Sequence, residues 1–279
     1  MKTLSNSCRR NLWLSISIAC LALAASMFAS AADEPGTPKG SRPDIDPVCR
    51  YNFTSGSANT YLSYCVSDNG NIVTISTPEG HGQELFGGEG YGFCNASPGV
   101  VEYHDYAYAD SGNWDSPTLL SHTATTVKIA RTTSDGIWTL TQTITQVPAT
   151  PSIKIAMALK NNTAAARGVY LLRFLDADAG LSRTNTLDAT QNTAAAWNEQ
   201  VGSVPFSFGL QLENVGTPQF GYWSGFAQDV PDGPNACAFA FNAPGTSPLV
   251  GIDGSIEMVY ADTIAAHGTK TATMIYRGF

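Results

Sequence analysis

Charge is scarce in this sequence, and basic charge is the scarcer kind. Only 14% of its 279 residues are Asp, Glu, Lys or Arg, and 15 basic side chains stand against 23 acidic ones, for a formal net charge of −8. Nucleic acids and anionic membrane surfaces attract basic protein faces, so this balance argues against both as partners. We therefore expect no nucleic-acid binding.

The common catalytic and metal-binding motifs are also missing. No G-x-S-x-G nucleophile elbow occurs, because the string GYWSG at 221–225 has the wrong spacing. Glycine loops of the phosphate-binding or dinucleotide-binding type do not occur either. The four histidines, His81, His104, His122 and His267, do not have the spacing of a zinc site. No reaction class is indicated by a motif.

Long apolar runs are absent except at the start of the chain. The run at 12–28 follows Arg9 and Arg10 and ends in small residues, a pattern that predicts a cleaved export signal over residues 1–32. Arg9 and Arg10 also fit, in part, a twin-arginine signal. Pro, Gly and charge dominate 33–47, which predicts a flexible leader before one domain at 48–279. We expect a secreted or periplasmic protein without membrane insertion.

Cysteines are few, and four of the six follow the expected signal: Cys49, Cys65, Cys94 and Cys237. An even number in an oxidising compartment predicts two disulfides, for which three connectivities exist. We favour Cys49 with Cys65, in neighbouring strands, and Cys94 with Cys237, across a long loop. No C-x-x-C spacing occurs, so structural bridges are favoured over a zinc site.

Helical periodicity is lacking, and only 193–197 is expected to form one short turn. Alternating apolar and polar residues at 126–132 and 137–147 flank Ser134-Asp135-Gly136, which predicts a β-hairpin. Two more hairpins are predicted from residues 152–160 with 168–176 and 255–260 with 269–277. Further strands are expected at 72–76, 100–109, 206–212 and 236–241. The pattern predicts an all-β fold, a large single-domain, two-layer antiparallel β-sandwich braced by disulfides.

Aromatic and acidic residues are concentrated in the segment 89–115. If 100–109 is a strand, alternation places Glu102, His104, Tyr106 and Tyr108 on one face. An acid, an imidazole and two phenols then form a row at steps of roughly 7 Å along the strand. This row is the first candidate functional site.

Three functions are compatible with this segment. Aromatic rings stack on sugar rings and carboxylates accept hydrogen bonds from hydroxyls, which favours an exported protein that binds an extracellular carbohydrate-like ligand. The residues predicted to bind it are Tyr91, Tyr106, Tyr108 and Trp114. In the alternative, a carbohydrate-active hydrolase or lyase, the catalytic candidates are Glu102, His104 and Tyr106, which exchange a proton. In a structural or adhesive surface protein, the rings only stabilise the sheet.

A glycine-rich segment at 79–89 is the second candidate. His81 and Glu84 have an H-x-x-E spacing, but a shared face at that spacing requires a helix. The glycines of EGHGQELFGGE argue against a helix. We therefore expect a surface loop.

The third candidate is an acidic stretch after the strand at 168–176. Asp176, Asp178 and Asp188 are candidate oxygen ligands of a Ca²⁺ ion. The stretch is not an EF-hand, because it lacks the glycine and the terminal Glu of that loop. In the alternative interpretation, these acids pair with Arg173 or Arg183.

Overall fold

The computed structural model describes most of the chain after the predicted leader. The described residues are 49–80, 82–83, 88–106, 109–176, 178–179, 184–198, 208–216, 220–228, 236–237 and 248–279. The predicted export signal and leader lie outside them, as does most of the expected strand at 236–241. Within the described part, no helix has the length and apolar character needed to cross a membrane.

The expected all-β fold is confirmed. Within the described residues the strands are β1 (Tyr51–Ser55), β2 (Leu62–Val66), β3 (Ile72–Ser76), β4 (Gly82–Gln83), β5 (Glu89–Ser97), β6 (Val101–Tyr106), β7 (Ala109–Asp110), β8 (Thr118–His122), β9 (Thr126–Thr132), β10 (Trp138–Val147), β11 (Ser152–Asn161), β12 (Arg167–Asp176), β13 (Asn185–Ala189), β14 (Thr193–Asn198), β15 (Phe208–Asn214), β16 (Gly221–Gln228), β17 (Leu249–Ile252), β18 (Gly254–Ile264) and β19 (Thr269–Gly278). A 3-10 turn at Ala58–Thr60 follows β1.

These strands form three antiparallel sheets. A nine-stranded sheet has the order β17-β13-β14-β15-β19-β11-β10-β9-β8, and a six-stranded sheet has the order β16-β18-β12-β5-β6-β7. A four-stranded sheet, β1-β2-β3-β4, completes the fold. All three sheets contribute side chains to one buried apolar cluster, so the two larger sheets form the layers of a sandwich.

One of the three predicted hairpins is confirmed, and two are wrong. β9 and β10 pair directly, with Thr132 opposite Thr139. β11 pairs with β10 and β19, however, whereas β12 pairs with β5 and β18. The chain therefore crosses from one sheet to the other after β11 and again after β18.

Asn161 links the two crossover connections. Its side-chain amide donates hydrogen bonds to the carbonyl oxygens of Ala165 at 2.7 Å, Ile264 at 3.1 Å and Ala265 at 3.1 Å. One buried amide thus holds the two crossing segments side by side. In a tight hairpin, by contrast, the two connected strands would pair within one sheet.

The turn expected at 193–197 is also wrong. These residues belong to β14, in which every second side chain is buried. Ala194 and Ala196 are buried in the main core, so tertiary packing overrides the helical preference of alanine.

Both expected disulfides are confirmed. Cys49 and Cys65 have Cα atoms 5.6 Å apart and connect the start of β1 to β2. Cys94 of β5 and Cys237 have Cα atoms 4.8 Å apart and close a loop across 143 positions of sequence. This second bridge places Cys237 beside the middle of the six-stranded sheet.

An ion pair is buried between the sheets. Arg173 of β12 and Glu89 of β5 pair with no exposure of either side chain. The Arg173 guanidinium also donates to the side-chain oxygen of Gln142 and, at 3.1 Å, to the carbonyl oxygen of Gly70. Each charge is therefore surrounded by polar partners.

Glu89 has a matching set of donors. Its carboxylate accepts a hydrogen bond from the backbone N–H of Ile72 at 2.7 Å and another from the Tyr276 hydroxyl at 2.6 Å. Ile72 belongs to the four-stranded sheet and Tyr276 to the nine-stranded sheet. The ion pair thus connects all three sheets.

Removal of one partner of this pair leaves a buried charge uncompensated. We expect Arg173→Met to lower the free energy of unfolding by about 3–5 kcal/mol, as measured by urea denaturation. The double variant Arg173→Met/Glu89→Gln removes both charges and serves as the control, and it should recover part of the loss. An unchanged midpoint for Arg173→Met would contradict the structural role of the pair.

The two disulfides should differ in their contribution to stability. In the chain-entropy model, a closure across 143 positions contributes about 5 kcal/mol and one across 16 positions about 3 kcal/mol. We expect Cys94→Ala/Cys237→Ala to lower the unfolding free energy more than Cys49→Ala/Cys65→Ala does. Denaturant titration of the two double variants measures the difference, and the reverse order would refute this expectation.

Candidate functional site

The six-stranded sheet carries a second buried cluster on the face that points away from the main core. We call this the outer face. Its described apolar members are Cys94, Tyr106, Leu172, Phe174, Ala236 and Val259, with Tyr170 and Cys237 packed beside them. The Cys94–Cys237 bridge therefore holds Ala236 against this face.

Strand register places specific side chains in rows across the outer face. Directly opposed residues of antiparallel strands point to the same side. One row consists of Tyr106, Gly90, Phe174, Glu257 and Gly225. The next consists of His104, Gly92, Leu172 and Val259. The outer face therefore has a polar edge on β6 and a single acid on β18.

The polar edge contains the row that the sequence predicts. His104 Nδ1 lies 2.9 Å from Glu102 Oε1, and both side chains remain partly exposed, at 17% and 22%. The Tyr106 ring centroid is 6.1 Å from that of His104. Glu102, His104 and Tyr106 thus lie together, whereas Tyr108 lies outside the described residues.

Tyr91 and Trp114 are not part of the outer face. Tyr91 is fully buried, and its hydroxyl donates to the carbonyl oxygen of Asn69 at 2.8 Å. The Trp114 ring packs edge-on against Tyr91 at 5.8 Å, and its indole N–H donates to the His104 carbonyl oxygen at 3.0 Å. Alternation along β5 points Tyr91 into the main core, so these two rings serve packing between the sheets, a correction to the predicted binding set.

Arg131 reinforces this packing. Its guanidinium lies 4.9 Å from the centre of the Trp114 ring and forms ion pairs with Asp105 and, at 3.1 Å, with Asp110. Asp105 is buried on the inner side of β6. The inner side of this strand is therefore occupied by structural contacts, which leaves its outer side for a ligand.

The three candidate calcium ligands do not converge. Asp176 ends β12 in the six-stranded sheet, whereas Asp188 lies in β13 of the nine-stranded sheet and accepts a hydrogen bond from the Ala189 N–H at 2.8 Å. Among the described residues, no three His, Cys, Asp or Glu side chains, Asp178 included, are grouped to hold a metal ion. Arg173 pairs with Glu89 instead of these acids.

Two residues of the glycine-rich candidate cannot be placed. His81 and Glu84 lie outside the described residues. Glu89, at the end of that segment, is described and belongs to the buried ion pair. The segment thus adds no described side chain to the outer face.

Glu257 is the acid that sequence reasoning missed. It is only 1% exposed, and neither carboxylate oxygen has a hydrogen-bond partner among the described residues. Burial among apolar neighbours raises the pKa of Glu257 to about 8. The sequence pattern that could have revealed it is the alternation in β18, where Ile256, Met258 and Tyr260 point toward the core. The acid at position 257 must then point to the opposite face.

Ser255 extends this polar position along β18. Its hydroxyl is buried and has no hydrogen-bond partner among the described residues. It points to the same side as Glu257, two residues away, and stands opposite Asp176 in the strand register. The outer face therefore has a second, deeper group of polar side chains.

Comparisons with known proteins establish the fold and nothing finer. No protein-family model matches the chain, and no curated protein matches it. Among solved structures, it is similar to a bacterial glucoamylase complexed with acarbose, with a TM-score of 0.55, 8% identity, and coverage of 87% of this chain and 34% of that chain. The chain thus spans about a third of that enzyme and shares the fold of that part.

Two further solved structures match less well in shape. A putative aldose 1-epimerase from Escherichia coli K12 has a TM-score of 0.47 and 13% identity, with coverage of 82% of this chain and 99% of that chain. A heparan sulfate lyase from Pedobacter heparinus has a TM-score of 0.43 and 10% identity, with coverage of 82% of this chain and 35% of that chain.

The raised pKa of Glu257 predicts a stability that falls with pH. Between about pH 5 and 8, folded Glu257 keeps a proton that the unfolded chain, with its ordinary pKa of 4.5, has released. The unfolding free energy should therefore fall by on the order of 4 kcal/mol across this interval.

Glu257→Gln isolates this contribution, because Gln does not titrate. In urea titrations at pH 5 to 9, the unfolding free energy of the variant should rise relative to that of the wild type as pH increases. Parallel stability profiles for the two proteins would mean that Glu257 titrates normally.

Proposed function

We propose that this protein binds a carbohydrate on the outer face of its six-stranded sheet. The observation that carries this proposal is the polar edge of β6, where Glu102 and His104 share a 2.9 Å contact beside the Tyr106 ring. A carboxylate accepts hydrogen bonds from sugar hydroxyls, an imidazole exchanges donor and acceptor roles, and an aromatic ring packs against a sugar face. Tyr108 is included in this site as a prediction from alternation alone.

The shared fold supports the same class of ligand. The similar glucoamylase is described in complex with acarbose, which makes a carbohydrate ligand the natural first candidate for a related sandwich. At 8% identity this similarity concerns architecture, so the residues of this chain must carry the assignment.

Export is part of the proposal. Both disulfides of the described chain are compatible with an oxidising compartment, where extracellular glycans are met. The predicted signal at 1–32 provides the route.

A carbohydrate-active hydrolase or lyase is the second candidate. The contact between His104 Nδ1 and Glu102 Oε1 favours it, because a carboxylate within hydrogen-bonding distance of an imidazole is the arrangement that tunes a general acid or base. Tyr106 stands next in the row. A structural or adhesive surface protein is the remaining function if neither binding nor turnover occurs.

Native affinity electrophoresis through gels containing starch, dextran, xylan or heparin tests these functions. We expect at least one polysaccharide to retard the wild type, and Glu102→Gln to weaken retention about tenfold, since a hydrogen bond to a charged group contributes about 1.5–3 kcal/mol. Glu213→Gln is the matched control, because Glu213 is a partly exposed acid paired with Arg277 in the other sheet. Tyr106→Phe tests the phenol hydroxyl.

The same gels separate binding from catalysis. Retention without new reducing ends or unsaturated products identifies a binding protein, whereas new ends that depend on Glu102 and His104 identify an enzyme. Equal mobility in every gel would refute carbohydrate binding.

A further inference from the structure

Buried acids on the two faces of the six-stranded sheet have opposite surroundings. Glu89 faces the main core and accepts hydrogen bonds from Ile72, Tyr276 and Arg173. Glu257 faces the other way and, among the described residues, has no partner for either oxygen. Within the described part of the chain, the fold therefore supplies donors to Glu89, which holds the sheets together, and none to Glu257.

An unpartnered buried carboxyl is costly and rare in folded proteins. A buried polar group without a hydrogen bond loses the hydration of that group with no compensation, so most buried polar groups are paired. Ser255 repeats the feature two positions earlier on the same strand, roughly 7 Å along the same face. The Glu257 carboxyl and the Ser255 hydroxyl thus lie near each other on the outer face, both without a described hydrogen-bond partner.

Glu257 has a glycine and an aromatic residue as its two register neighbours, and it is 1% exposed. Its partner on β16 is Gly225, which has no side chain, and its partner on β12 is Phe174. An acid between a glycine and an aromatic ring has an apolar wall on one side and no side chain in register on the other. This is the environment that small-molecule sites share: mostly apolar, with a few convergent polar groups.

The protonation state of Glu257 narrows the chemistry of a ligand. The other described titratable residues of this face are Glu102, His104, Tyr106, Tyr170 and Asp176, and none of them forms an ion pair with Glu257. A neutral carboxyl offers one donor and at least one acceptor, as does the Ser255 hydroxyl. Hydroxyl groups, which also donate and accept, complement this pair.

We propose that Glu257 and Ser255 form a second, deep subsite of the carbohydrate site, in which they exchange hydrogen bonds with sugar hydroxyls. The inference rests on the proposed function. Tyr106 and Glu257 stand in one row with two strands between them, so they lie roughly 14 Å apart. A ligand that reaches both the polar edge and this subsite is longer than one sugar ring, which makes the ligand an oligosaccharide.

Glu257→Leu and Glu257→Gln separate this role from a structural one. Leu removes both hydrogen-bonding groups but suits the apolar surroundings, and Gln retains one donor and one acceptor. We expect Glu257→Leu to weaken binding about tenfold or more and Glu257→Gln to stay within about threefold of the wild type. The probe is an oligosaccharide mixture from partial hydrolysis of whichever gel polysaccharide retards the wild type, titrated by calorimetry.

Controls make a failure of the subsite distinguishable from a failure of the proposed function. If the wild type binds, Glu102→Gln weakens binding and folded Glu257→Leu binds like the wild type, the subsite is refuted and the carbohydrate site stands. If no polysaccharide retards the wild type, both proposals fail. Ser255→Ala, a small change at the neighbouring side chain, should weaken binding several-fold and decides the matter if Glu257→Leu does not fold.

Discussion

The ion pair between Arg173 and Glu89 is the constraint around which the sandwich is arranged. Two charges buried without exposure are tolerated only when their remaining donors and acceptors are satisfied. The pair belongs to the six-stranded sheet, and its partners come from the other two sheets, with Ile72 in one and Gln142 and Tyr276 in the other. These hydrogen bonds therefore fix the three sheets relative to one another. A shift of the strand register by one residue in any sheet would remove a hydrogen-bond partner of the ion pair.

This inner network also determines what the outer face can do. Alternation along β5 and β12 sends Glu89, Tyr91 and Arg173 inward, which leaves glycines, cysteine and apolar side chains on the other side. The polar side chains that connect the sheets therefore point into the core. The acids on the outer face of the six-stranded sheet take no part in those contacts. Among these acids, Glu102, which contacts His104 at a partly exposed edge, and Glu257, which is buried without a described partner, are the residues to consider for function.

Local patterns predicted much of this fold, and long-range pairing escaped them. The strand at Ile72–Ser76, the hairpin of β9 and β10 and both disulfides follow from short alternating runs and a count of cysteines. The crossovers near Asn161 could not be predicted in this way, because the sequence of a short turn is similar whether the two strands pair in one sheet or belong to different sheets. Tyr91 was misassigned for a related reason: its segment has aromatic residues on both faces, and only the packing of Arg131 and Trp114 shows which face is the core.

Oxidation connects the predicted export of the chain to its proposed site. The Cys94–Cys237 bridge attaches Ala236 to the outer face, where it packs with Leu172 and Phe174. The bond closes a loop across 143 positions, so it offsets the loop-closure entropy that opposes this contact. The apolar cluster around Phe174, which stands beside Glu257 in the strand register, thus includes a segment attached by a covalent bond of the kind that forms in oxidising compartments.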